Sequence, residues 1–285
     1  MILIPFVWAR REHFHNGRAL IGSCVCIRGI PTGAIVTKNL FQDWLELNAS
    51  AKDVPLYTER AKARAVGLAA LKTLVADHFV GEKVVLKLGG YDKALATIVN
   101  SLPTSKRTRS GDLGELLATE YVNAQTSFTV PIRKLRWKSD RQMPLHGNDV
   151  IGIEVSPSGK TRVLKGESKS AAALSSTTVK GACEGLDAHE GRPNPSTLAF
   201  MVKRLYEEDR DEEARRFEAM QADGALSARD VQHLIFALAG KDPRALLNAA
   251  PKPKKAAIKR SAAVVMISDH ATFVNSVYAA HGTKP

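Results

Sequence analysis

The chain has 285 residues, 44% of them hydrophobic and 25% charged, with three cysteines. That is the composition of a globular protein with a sizeable core; it excludes a low-complexity chain, a disulfide framework and a zinc site built from two cysteine pairs. Lys and Arg outnumber Asp and Glu by 41 to 29, a net charge of +12, which favours a polyanionic partner, nucleic acid foremost.

In chain order, MILIPFVWARREHF places its apolar run before Arg10 and Arg11, the wrong order for a signal peptide, and is too short to span a bilayer. A cytoplasmic protein with reduced thiols and no membrane contact is expected, with Cys24 and Cys26 in C-V-C and Cys183 far away. Residues up to about 45 alternate short apolar runs with glycines, predicting strands and turns. His13 and His15 form an isolated H-x-H beside Glu12, too weak a pattern to assign a metal. A long helical pattern begins at Pro55 and runs through VGLAALKTLVADHF, with Gly81 as its stop. VVLKLGG reads as a strand and YDKALATIVNSL as a helix.

LPTSKRTRSGDLGE marks a boundary between an N-terminal α+β domain, residues 1–100, and a second domain, residues 101–285. Lys106, Arg107 and Arg109 cluster there, ahead of the helix GDLGELLATEYVNAQ. FTVPIRKLRWK reads as a strand blurred by Pro131. GNDVIGIEVSPSGKTRVLKGESKS reads as two strands around a tight turn, and SSTTVKGACEGLDAHEG as a helix capped by Ser or Thr. Residues 195–248 read as helical throughout, ARDVQHLIFALAG included. APKPKKAAIKR is a basic connector, SAAVVMIS a buried strand that returns to the sheet, and ATFVNSVYAAHG a final helix. No G-x-x-x-x-G-K-[ST] occurs, so the chain is expected to bind no nucleotide.

The hairpin carries the chemistry. With its turn centred on Ser158, residues whose numbers sum to 316 lie opposite each other, so Asp149 faces Glu167 with Cβ atoms about 4.5–5.5 Å apart. Two carboxylates that close repel unless a divalent cation lies between them, and hard oxygen ligands at that spacing suit Mg²⁺, with Mn²⁺ as a substitute. The Ser168 carbonyl is a further candidate ligand. Lys169 shares a face with Glu167 and would stand beside the ion, where an ammonium positions a water and stabilises charge on phosphorus. Glu115, on the preceding helix, offers another carboxylate; Glu120 turns away from it. Arg133, Lys134, Arg136, Lys138 and Arg141, interleaved with Trp137, form a candidate cationic wall for a nucleic-acid backbone, together with Lys106, Arg107 and Arg109. His146 and Glu154 are weighed as loop and surface residues.

The order helix with Glu, strand, strand beginning with Asp, strand ending in Glu-x-Lys, then helix resembles the PD-(D/E)xK nuclease superfamily. Asn148 stands where the motif has Pro. The longer text RSGDLGELLATEY, LRWKSDRQMPLHGNDVIGIE and LKGESKS resembles the HamA family, the nuclease component of the Hachiman anti-phage system, best over residues 101–190. The resemblance implies an α/β fold with a restriction-endonuclease-like mixed central sheet flanked by helices. It implies an Mg²⁺-dependent DNase of low sequence specificity, acting on DNA beside a HamB-like helicase subunit, with partner docking on residues 1–100. By that match Asp149, Glu167 and Lys169 are the catalytic core and Glu115 a helical participant. An inactive DNA-binding or regulatory subunit of a helicase complex is the alternative, and RNA the alternative substrate.

Overall fold

Three parallel strand pairings bounded by two antiparallel ones organise the chain. The computed structural model describes residues 40–48, 54–222 and 226–282, all of them in one unit, Pro31–Pro285. The strands are β1 (Leu45–Asn48), β2 (Leu56–Glu59), β3 (Val150–Val155), β4 (Thr161–Ala171), β5 (Val231–Ala239) and β6 (Lys259–Met266). They form one sheet in the order β1-β2-β6-β5-β4-β3, antiparallel at each end and parallel between. The mixed α/β sheet flanked by helices that the sequence suggested is therefore present, and β6 returns to it as expected. Strands from both sides of residue 100 enter this sheet.

The helices are α1 (Arg64–Phe79), α2 (Glu82–Lys87), α3 (Tyr91–Ser101), α4 (Lys106–Gln125), α5 (Ser176–Asp187), α6 (Pro195–Glu207), α7 (Asp211–Ala219), α8 (Arg244–Asn248) and α9 (His270–Ala279). One face of the sheet buries Leu164, Leu234, Phe236 and Val265 against Leu113, Leu116 and Leu117 of α4 and Phe273 of α9. The other buries Ile235, Ala237 and Val264 against Val179, Ala182 and Leu186 of α5. Ser175 caps α5 by accepting from the Thr178 amide, at 3.1 Å. Among the described residues no helix is long and apolar enough to cross a membrane.

Four elements depart from the sequence reading, each for a physical reason. Val231–Ala239 is a strand, not helix: seven of its last residues in a row, His233–Ala239, are buried, because parallel strands covered on both faces lose the alternation that identifies a strand. Leu56–Glu59 is a strand rather than the start of α1, held by pairing to Val264–Met266, far away in sequence. VVLKLGG lies largely in the helix α2, ending at Gly89 and Gly90, both at positive φ. Phe128–Lys138 makes only the bridge Thr129–Ile153 and then a tight helical turn, Lys134–Trp137; Pro131 has no N–H with which to extend the ladder. The expectations for residues 1–39, including the C-V-C pair and the H-x-H, lie outside the described residues.

Candidate active site

The register of the hairpin is the one its turn dictates. Val150 pairs with Gly166 and Val155 with Thr161, so every pair sums to 316. Beyond Val150 the partner strand has not yet begun, while β4 continues to Ala171. Past that last pair, no strand among the described residues covers the β3 side of β4, and Asp149 stands at its corner. Its Oδ2 accepts from the Ser168 amide at 2.8 Å, the bond a backbone carbonyl would otherwise make. A residue's N–H and C=O leave a strand on the same side, so the Ser168 carbonyl also faces this open edge. The Ser168 hydroxyl is buried without a hydrogen-bond partner.

Two layers of the fold meet at that corner. Odd-numbered side chains of β4 point toward α5: Lys165 donates to the carbonyls of Leu186 and Ala188, and Glu167 lies against Gly185. A Cβ at Gly185 would sit 3.2 Å from the Glu167 carboxyl, so glycine makes room for this acid inside a helix, where it otherwise costs about 1 kcal/mol. Even-numbered side chains point toward α4. There a Cβ at Gly114 would come within 2.9 Å of the Ser168 hydroxyl and 3.0 Å of Ser170, which lets α4 lie close on the strand. Glu115, next along α4, and Asp112, one turn earlier, line a cleft of about 570 Å³ together with Asp149, Ser168 and Lys169.

The electrostatics follow from crowding acids where water is scarce. Burial, with Asp149 adding to it, pushes the Glu167 carboxyl up to about 7 against Lys169, whose Nζ lies 3.3 Å from Glu167 Oε2. Burial pushes Glu115 up to about 8, with Lys134 lowering it and Asp149 raising it. Burial also raises Asp112, to about 6, against the pull of Lys138, whose Nζ is 2.8 Å away. Asp149 is thus the acid common to the Glu115 and Glu167 environments.

Several sequence-predicted residues take other places. Glu120 is fully buried, against His78 and Arg133. Of the cationic residues, Lys106, Arg107 and Arg141 are exposed, with Arg107 on the cleft wall and Arg141 donating to the Asn100 carbonyl. Arg109, Lys134 and Lys138 turn inward, to the Pro103 carbonyl, the Asn148 carbonyl and Asp112 respectively. Arg133 and Arg136 are half-buried and engage Asp77, with Arg133 also on Glu120 and Arg136 on Glu208. The interior ones are therefore neutralised or solvated by the protein itself. His146 is exposed, and Glu154 pairs with Arg162 at 2.7 Å on the far end of the hairpin.

The structure adds residues that the sequence reading passed over. Asp112 was detectable, since it lies three positions before Glu115 and so on the same helix face. Asn148 explains its own departure from Pro: its amide donates to the Thr197 hydroxyl at 3.1 Å and its side chain accepts from the Asn194 amide at 2.8 Å, and proline has no amide to give. No signal in the linear sequence points to Gly185, which matters only because β4 passes beneath it.

The groups here that could hold a metal are hard oxygens: the carboxylates of Asp149 and Glu167 and the outward carbonyl of Ser168. Among the described residues no group of three or more His, Cys, Asp or Glu side chains forms a ready-made metal cage. Two carboxylates and a carbonyl instead suit an ion that keeps several waters, as Mg²⁺ does.

A family model described as HamA matches residues 51–281. Among curated proteins the chain is similar to the Hachiman protein HamA of Bacillus cereus, 27% identical over 184 residues, which is 64% of this chain and 64% of that protein. The chain thus spans a little under two thirds of that relative's length.

Proposed function

The chain belongs to the HamA family, and on that premise we propose that it is a metal-dependent DNase of an anti-phage defence system, acting with a helicase subunit. The observation that carries the reading is the corner of β4, where Asp149, Glu167, the Ser168 carbonyl and Lys169 gather at an edge that no strand among the described residues covers. A buried structural ion pair needs no such opening; a phosphodiester backbone does.

In this reading Asp149, Glu167 and the Ser168 carbonyl hold Mg²⁺, or Mn²⁺ in its place. When bound, the ion supplies Lewis-acid polarisation of the phosphate and lowers the pKa of a water. Lys169, steered by Glu167, orients the attacking water and meets the negative charge that grows on the phosphate oxygens. Glu115 keeps its proton near neutral pH while the cleft is metal-free, which spares the corner a third negative charge. Arg107, Lys106 and Arg141, all exposed, guide the backbone by charge without reading bases, so cleavage has little sequence preference.

The test is plasmid degradation by purified protein, with and without the helicase, in Mg²⁺ and in Mn²⁺. Glu167→Ala and Lys169→Ala should each lower cleavage by about two orders of magnitude or more while the fold, judged by circular dichroism, persists. Cleavage that survives both changes removes the catalytic assignment. A wild-type chain inert under every condition, yet retaining DNA affinity, points to a regulatory subunit instead.

A further inference from the structure

We propose that Lys134 is a positioning residue of this site, one that grips the turn carrying Asp149 and so sets where that carboxylate stands. The proposal rests on the metal-site reading above and adds to it a residue that touches neither ion nor substrate.

Lys134 is 6% exposed, and its ammonium donates to the Asn148 carbonyl. That carbonyl belongs to the peptide group that leads into Asp149. Asn148 is itself 4% exposed and is held from two more directions, by Thr197 Oγ1 on its amide and by the Asn194 amide on its side chain. Gly147 precedes it at φ +94°, and a Cβ there would lie 2.1 Å from Thr197 Oγ1, so the chain can approach this threonine only as glycine. The turn is therefore fixed by one charged and two neutral bonds before Asp149 accepts from Ser168. A lysine buried on a carbonyl is an expensive arrangement unless acids nearby compensate its charge.

Charge alone makes the opposite prediction from positioning, which is what renders the idea testable. A bystander ammonium near a divalent ion repels it, so removing that ammonium would tighten metal binding. If instead Lys134 holds the Asp149 turn, its removal loosens a ligand and weakens binding. Outer partners of metal ligands typically contribute about 10–100-fold in affinity.

The experiment is a Mn²⁺ titration of the purified full chain without DNA, read by electron paramagnetic resonance. It is paired with amide exchange at Ser168 in EDTA. Lys134→Met should bind Mn²⁺ about tenfold or more weakly and exchange the Ser168 amide faster. Thr197→Val, which alters no charge, should move both readouts the same way by less. Unchanged or tighter Mn²⁺ binding in folded Lys134→Met overturns the proposal. Should that variant fail to fold, Thr197→Val decides, and unchanged binding with unchanged exchange counts against it. A wild-type chain that binds no Mn²⁺ removes the metal reading; exchange at Ser168 in the variants then decides the positioning role alone, faster exchange supporting it and unchanged exchange refuting it.

Discussion

Strand β4 carries two groups of buried charge a few residues apart, alike in composition and different in how they are paired. In the first, Lys165 donates to two carbonyls at the end of α5, and Arg260 meets Asp187 at 2.6 Å with each side chain 7% exposed. His233 bonds the Gly191 carbonyl there, at 2.8 Å. In the second, around Asp149, the acids outnumber what the protein gives them. Glu167 has Lys169 at 3.3 Å, and the Glu115 carboxyl makes no hydrogen bond among the described residues. The first group fastens the end of α5 to β4 and β6 of the sheet. The second leaves oxygen donors unspent at a solvent-facing edge, which is the condition under which an ion or a phosphate has something to bind.

The comparison can be broken at either end. The largest expected effect is on stability in the first group. Arg260→Ala leaves Asp187 buried without its partner and should cost about 3–5 kcal/mol, read as a lower urea midpoint. If that variant is as stable as the wild type, the cluster is not a fastening. In the second group the effect should fall on activity. Lys169→Ala should reduce DNA cleavage about 10²–10³-fold with an unchanged melting temperature. A matching loss of stability would make the two groups the same kind of object.

Their pH responses should run in opposite directions. Glu115 and Glu167 have folded values near 8 and 7 against 4.5 for the free side chain, so in the unfolded chain they lose protons first. In EDTA, stability should therefore fall as pH rises from about 4.5 toward 8, and Glu115→Gln should flatten that fall. Burial lowers His233 to about 4 from 6.5, so the unfolded chain takes up the proton first. Its contribution is whole above pH 6.5 and is lost as pH drops toward 4. His233→Gln should flatten that acid limb, and urea midpoints across the pH series read both. The smallest effect sharpens the frame rather than the site: Ser175→Ala removes the cap of α5 and should cost about 1 kcal/mol.

How much of this was legible depends on whether the information is local. The hairpin register was, because S-P-S-G fixes the turn and the pairing then counts outward to Asp149 and Glu167. Strand β5 was not, because burial on both faces removes the period of two, and VQHLIFALA then fits a helical stripe as well. The direction of the basic side chains was not legible either. Lys134 and Lys138 read as a cationic surface in sequence, and only the packing of their turn against Asn148 and α4 shows them pointing inward. Glu115 was readable as a candidate from its place on an apolar helix, whereas the room for Glu167 came from a glycine eighteen residues on, in the helix that follows its strand.

The two main acids are held with unequal security. Glu167 belongs to an interior strand, flanked by β5 from Val163 to Ala171, while Asp149 hangs from the first residue of an outermost one, whose far side has a single bridge, at Thr129, among the described residues. Rim strands open more readily than central ones. Peeling the start of β3 would carry one acid away and leave the other in place, switching the corner off with the remainder of the sheet intact.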